Sequence, residues 1–346
     1  MGSRARAAHR WRMPVGAVVA SVLLLTGCAN VPLDLLVPPT ASAGGHGPPD
    51  PVTLAPLRGT PADAAALRHP SLAAKIDNHE AARPQLGLNR SDIVFEELVE
   101  GGLTRYLVVW HSDVPDAVGP VRSIRPMDPA IASPFSGIIA YSGGQPGFVD
   151  LMKATPLVNL VFDEDDTGLF ERAVDRPSPH DVILDAPEAV RRNAALSPPP
   201  AQFTYGDNDP LAPAEFGASP TSRLDLAFSE REARSWEWDA SGSAWLRSQD
   251  GEADVEASGE RVRATNIVTL SVAIDGRFGE VPLTVLSGTG EAWVSVAGRT
   301  AHGTWVKDAD AAPIVLKADD GRALPLAPGN TWVELVPAEG SVSFAP

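Results

Sequence analysis

Apolar residues in this chain fall mostly into short runs set between Gly, Pro and Asp. From about Leu72 to Leu196, the runs AAKI, IVFEEL, YLVVWH, GIIAYS and LVNLVF have the length and composition of buried strands. FVDLMKAT and APEAVRRNAAL read instead as helices, and Asp185 is placed to N-cap the second, with Glu188 three residues on as a capping box. Alternating strand-like and helix-like segments predict an α/β domain, a mixed sheet with flanking helices. From Arg223 the texture changes. RLDLAFS, RSWEWDA, SAWLRS, NIVTLSVAI, PLTVLSG, EAWVSVAG, GTWVKDA, PIVLKAD and NTWVELVP are short and often alternating, and predict a mostly-β domain. GGLTR, at Gly101–Arg105, reads as a hairpin turn between two of the earlier strands.

The pattern breaks twice. Residues 29–61 are rich in Pro, Gly, Ala and Ser and read as a disordered tether. Residues 198–222 are Pro-rich and read as a linker. The expected organisation is therefore an α/β ligand-binding domain over 62–197 and a β-rich domain over 223–346. The latter holds Trp236, Trp238, Trp245, Trp293, Trp305 and Trp332. Trp rows on a β-surface can stack on sugars, but core and cross-strand packing is the simpler reading.

The first 28 residues add a location. Arg4, Arg6, Arg10 and Arg12 precede an apolar run from Val15 to Leu25, and LTGC follows, ending at Cys28. The run is shorter than the roughly twenty residues of a membrane span, so residues 1–28 read as a secretory signal. The LTGC ending resembles a lipobox, which makes Cys28 the expected lipidation site and places the mature protein on the extracytoplasmic face of the cell membrane. Cys28 is the single Cys, so no disulfide can form within the chain. Removing the signal takes away four Arg and no acid, moving the formal charge from −16 to −20. So acidic a chain is a poor nucleic-acid binder.

Common catalytic motifs are missing. There is no G-x-G-x-x-G after a strand, no Walker A loop, no G-x-S-x-G and no H-E-x-x-H. DEDDTG, at Asp163–Gly168, fails as a calcium loop because Val174 stands where the bidentate Glu belongs, and it reads as a solvated acidic turn. The polar candidates gather between Lys75 and Asp181, beside the predicted strands. They are Asp77, His79, Arg83, Arg90, Asp92, Arg105, Arg122, Arg125, Arg176, His180 and Asp181. Strand ends in an open α/β sheet converge at one edge, where ligands bind. Several Arg there suit phosphate or pyrophosphate, and neighbouring Asp could hold a divalent cation. Taken singly, each Arg is as readily half of a salt bridge, and each His a capped, hydrogen-bonded residue. YSGGQPGF places Gly143 and Gly144 between a strand and a helix, where an anion could reach backbone N–H groups.

Two resemblances follow from these residues. IDNHEAARPQLGLNRSDIVFEELVEGGLTR, VGPVRSIRP, DRPSPHD and the later GTWVK and PGNTWVELVP resemble the YerB-like bacterial lipoproteins, domains of unknown function, over nearly the whole mature chain. The order Asp77, Arg83, Arg90-Ser91-Asp92, Ser123-Ile124-Arg125, Tyr141-Ser142-Gly143-Gly144 more weakly resembles the LytR-CpsA-Psr cell-wall transferases. That second resemblance implies Asp77 and Asp92 as ligands of a magnesium ion. It also implies Arg83, Arg90 and Arg125 on the pyrophosphate of a polyprenyl-linked glycan, with Arg125 and Asp92 as catalytic residues. SIRPMD departs from the transferase pattern by exchanging Pro and Arg and displacing Asp128, which favours binding over catalysis. Three functions stay open. One is an envelope protein binding a phosphorylated or glycan-type ligand through Arg83, Arg90, Arg122, His79, Arg176, His180, Gly143 and Gly144. The others are a magnesium-dependent glycan phosphotransferase acting on a cell-wall polymer, and a structural lipoprotein.

Overall fold

The computed structural model describes residues 52–346. The signal, Cys28 and the first part of the tether lie outside the described residues. A large mixed sheet organises the molecule. Its path contains ten strands: β1 Leu72–Asp77, β2 Ile93–Leu98, β3 Thr104–Trp110, β4 Ile138–Tyr141, β5 Val158–Val161, β6 Asn266–Phe278, β7 Gly288–Val296, β8 Arg299–Lys307, β9 Val315–Ala318 and β10 Thr331–Pro337. They lie in the order β9-β8-β7-β6-β10-β2-β3-β1-β4-β5. The short strands Val281–Val285 and Ser219–Pro220 add to it beside β6 and β8.

The first five strands are the predicted apolar runs, and they do not alternate because the sheet is covered on both faces. One face packs on α1 (Asp128–Ala132) and α2 (Pro146–Lys153), through Ile131, Phe148 and Met152. The other packs on α3 (Ala186–Arg192) and on a second, six-stranded antiparallel sheet, through Val190, Trp236 and Trp245. Asp185 caps α3 as expected, accepting from the Glu188 N–H at 2.9 Å. Glu188 turns its carboxylate to Arg191 and Arg192. Trp236, Trp245, Trp305 and Trp332 are buried, as the packing reading requires.

The architecture is thus a mixed α/β first part followed by a mostly-β second part. The two parts share a sheet. β10, near the C-terminus, lies parallel between β2 and β6, with Ile93 and Asn266 both in register with Thr331. The Pro-rich segments are packed as well. Leu57 is fully buried and Tyr205 donates its hydroxyl to the Leu57 carbonyl at 2.5 Å. Leu211 joins the same core. Residues 52–61 and 198–222 therefore differ from the expected tether and linker. Their scattered apolar side chains fill gaps at the sheet's margin, which a Pro-rich composition does not reveal.

Candidate functional site

Asp77 closes β1, and Arg105 lies directly opposite it on β3. Glu97 on β2 faces the same Arg105. The segment Val121–Arg125 then crosses the ends of β1 and β4. It is pinned by Arg122 N–H to the Lys75 carbonyl at 2.8 Å and by Ile124 N–H to the Gly143 carbonyl at 3.1 Å. This brings Arg105, Arg122 and Arg125 to one corner, beyond the carboxyl ends of β1, β2 and β4.

Two carboxylates serve these cations. Asp77 accepts Arg122 Nε at 3.1 Å, and Arg125 Nε reaches Glu100 at 2.6 Å. Arg105 and Arg125 both donate Nη1 to the Ser123 carbonyl, at 2.9 and 3.2 Å, so the two guanidinium groups lie side by side. Arg105 has no ion-pair partner among the described residues. Burial and the adjacent Arg125 charge lower its pKa to about 10. Asp77 is itself buried, which would raise its pKa. The Arg105 charge and the His180 hydrogen bond outweigh that and hold it below the usual range.

His180 completes the rim, with Nδ1 2.6 Å from Asp77 Oδ2. Its ring stacks on His79 at 4.5 Å between centroids. Arg176 ties the His180 loop down, donating to the Ala82 and Pro84 carbonyls at 2.7 and 2.6 Å. Below the corner, Lys75 is fully buried and bridges Glu97 and Asp128, the latter at 2.8 Å. Asp128 also accepts the Arg125 N–H at 2.5 Å, so the buried ions position the Arg125 segment. Burial and the Asp128 charge raise Glu97 to about 8.

The structure thus assembles Asp77, His79, Arg122, Arg125 and His180, with Arg176 as a brace. Other expected members lie elsewhere. Asp92 precedes β2 and bonds the β3 end, where its N–H meets the Val109 carbonyl at 2.9 Å. Ile93, the next residue, pairs with Val109, and Asp77 pairs with Arg105, so Asp92 and Asp77 are five residue levels, ~17 Å, apart along β3 and on opposite sides of it. They cannot share a magnesium ion, and Asp92 cannot act in catalysis at this corner. It is buried, and it holds the following turn through the N–H groups of His111 and Ser112, at 2.5 and 2.9 Å. No group of three or more His, Cys, Asp or Glu among the described residues is arranged to hold a metal ion. Arg90 sits at that same far end, paired with Asp113 at 2.6 Å. Arg83 turns toward Asp250 at 3.7 Å and lines a separate small hollow with Gln249 and Asp254. The Gly143–Gly144 turn is not an anion cradle. Gly143 has φ 155°, and a Cβ there would lie 2.2 Å from Asp163 Oδ2, so a carboxylate already occupies the approach. Two hollows of about 630 and 700 Å³ also lie off the corner. The first begins at Pro126 and runs between α1, α2 and the β6 hairpin, and the second lies near Phe228 and Ile274.

Sequence reasoning passed over a second ionic cluster, on the opposite face of the sheet. Glu96 accepts Arg234 Nε at 2.7 Å and Arg247 Nη2 at 2.5 Å, all fully buried. The Arg247 guanidinium lies 4.8 Å from the Trp332 ring, and Trp236 Nε1 donates to Glu334 at 2.7 Å. Burial and the neighbouring Glu96 charge raise Glu334 to about 8. This cluster is sealed between two sheets, so it reads as a structural bolt. The only sequence signal was the adjacent pair Glu96-Glu97, which must face opposite sides of a buried strand.

Comparison with known proteins places this geometry in a family. Residues 57–197 match the "Protein of unknown function (DUF3048) N-terminal domain", and residues 224–333 match its C-terminal domain. The chain belongs to the DUF3048 family. A relative, "Putative lipoprotein YerB" of Bacillus subtilis (strain 168), is 29% identical over 301 residues, covering 84% of this chain and 88% of that protein. The crystal structure of YerB protein from Bacillus subtilis superposes with a TM-score of 0.72 at 24% identity, covering 84% of this chain and 99% of that one, and so shares the fold. The DUF3048 C-terminal segment ends at Val333, inside β10, the strand that enters the sheet beside β2 of the N-terminal segment. The two DUF3048 segments are therefore halves of a joint sheet. No helix among the described residues is long and apolar enough to cross a membrane.

Proposed function

We propose that this is a lipid-anchored cell-envelope protein, attached through Cys28, whose Arg105–Arg122–Arg125 corner binds a phosphorylated ligand of the polyprenyl-pyrophosphate or glycan-phosphate kind. One observation carries this reading: three guanidinium groups meet at the strand ends with two carboxylates between them, and one of the three, Arg105, lacks an ion-pair partner among the described residues. Gathering excess cation at one point of a chain of formal charge −16 is costly unless an anion completes it. The lipobox-like LTGC and a relative named a lipoprotein support the anchor. The phosphotransferase alternative loses its metal site, because Asp77 and Asp92 occupy opposite ends of the sheet. Binding without transfer is the better reading.

Pyrophosphate serves as the probe, measured by calorimetry and thermal melting. At about 100 times its dissociation constant it should stabilise the protein by roughly 2.7 kcal/mol. Arg125→Ala should remove most of that gain, because Arg125 is held in the corner by Glu100 and the Ser123 carbonyl. An unchanged melting temperature with pyrophosphate in the wild-type protein sinks the reading for this ligand class.

A further inference from the structure

The two stacked histidines are held in different chemical states. His79 Nδ1 accepts the Ala81 N–H at 3.1 Å, so that nitrogen must keep its lone pair. A proton there would set two N–H groups against each other and break the turn that carries Ala82, Arg83 and Pro84. His180 Nδ1 instead meets a carboxylate oxygen, Asp77 Oδ2, and must donate. Its free nitrogen, Nε2, is an acceptor when the ring is neutral and a second donor when it is charged. With the rings 4.5 Å apart at an interplanar angle of 17°, two imidazolium charges would repel. Of the two rings, His180 is therefore the one whose hydrogen bonds leave a nitrogen open to a second proton.

His180 shares the oxygen of Asp77 that Arg122 Nε also contacts, so it stands at the edge of the cationic corner. Beside it stand Asp77 from β1, His79 from the following turn and, on the same Asp77 oxygen, Arg122 from the crossing segment. On its own loop, Arg176 is spent on backbone carbonyls and Asp181 on Arg172 at 2.7 Å. With no anion bound, Arg122 on the shared Asp77 oxygen opposes a further positive charge. A bound polyanion reverses that balance.

We propose that His180 is a proton-switched member of the anion site, so that the corner takes up a pyrophosphate-class ligand together with a proton and holds it more tightly on the acidic side of neutrality. This rests on the reading of the Arg corner given above. The test is calorimetry of pyrophosphate binding at pH 6 and pH 8, in two buffers of different ionisation enthalpy, for the wild-type protein and His180→Gln. The ionisation of pyrophosphate itself is common to both proteins and cancels in the comparison. A unit charge a few ångströms from the ligand is worth roughly tenfold in affinity. The wild-type gain from pH 8 to pH 6 should exceed that of His180→Gln by about this factor, with extra proton uptake in the wild type. Nitrogen NMR of the histidine rings at pH 7 gives a readout that needs no variant: pyrophosphate should convert His180 Nε2 from a bare to a protonated nitrogen. Equal pH dependence in the two proteins, or an unmoved Nε2 signal, overturns the role of His180 while leaving the Arg corner standing as a binding site. Absence of pyrophosphate binding at both pH values removes the corner and the switch together.

Discussion

Glu97 shows how a single side chain records the character of this site. One carboxylate oxygen accepts from Lys75, while the other is buried without a partner. The ammonium of Lys75 is shared with Asp128, so two carboxylates compete for one cation. Burial then favours the neutral acid, and Glu97 titrates near 8 against an ordinary 4.5. A folded-state pKa above the unfolded one means that the native protein holds the extra proton between those values. Its contribution to stability is full below about pH 4.5 and is lost as pH rises through about 8. Glu334 has the same sign. Glu97→Gln, which mimics the protonated form, should melt close to wild type at pH 4 and gain roughly 3–5 kcal/mol relative to it by pH 8.5. Thermal melts at the two pH values check this, and a variant that tracks wild type at both would mean that Glu97 is ionised throughout. At this scale the sequence was informative about type and poor about place. Asp77, His79, Arg122, Arg125 and His180 were expected together and are together. Asp92 and Arg90 were expected with them and are not. Asp77 ends its strand, whereas Asp92 begins one, and both strands run antiparallel to β3, so neighbours in sequence order sit at opposite ends of the sheet. No local pattern carries that information.

Elements were far more legible than contacts. IVFEEL is β2 residue for residue, and RLDLAFS is the strand Arg223–Ser229. Apolar runs bounded by Gly, Pro and Asp report strands because those residues end ladders through their backbone chemistry. Strand edges and close approaches are less legible. Gly303 in β8 looks like an ordinary weak point in GTWVK, but a Cβ there would lie 2.0 Å from the Lys317 carbonyl oxygen of β9. The obstacle is backbone, which cannot rotate away as a side chain can. Gly303→Ala should therefore push β9 off the edge of the sheet and cost about 1–3 kcal/mol, although alanine suits strands better than glycine does. The loss should appear in denaturant unfolding as a lower midpoint. A neutral or stabilising result would show that β9 gives way easily and adds little to the fold. The same kind of approach explains why YSGGQPGF misled: Gly143 makes room for Asp163, a residue twenty positions away and of the wrong charge for an anion site.

The whole molecule answers a question that composition framed incorrectly. A Pro-rich stretch over 198–222 and a change of texture at Arg223 describe two domains in sequence, and the family's two segments follow the same division. In space the division is bridged at three levels. β10 contributes its ladder to β2 on one side and to β6 on the other. Arg234 and Arg247, from the second segment, neutralise Glu96 from the first in a dry environment. Leu57 and Leu211, from the stretches expected to be loose, fill the same core as β7 and β8. Each half alone would leave a long unpaired strand edge, and the first would also expose the apolar face of Val94, Tyr106, Val108 and Trp110 that the second sheet covers. Residues 52–197 and 198–346 expressed separately should each lack a cooperative thermal transition, and the two expressed together should associate and recover one shared transition at the melting temperature of the intact chain, less the cost of association. Either fragment folding alone, with a sharp melt and native near-ultraviolet dichroism, would show that the junction is an interface between finished domains. The position of the Arg corner makes the outcome matter for function. It is built wholly from the first segment, but Glu97 and Glu96 are adjacent on β2 and face opposite sides, so the bolt that fastens the second segment also fixes the strand that floors the site.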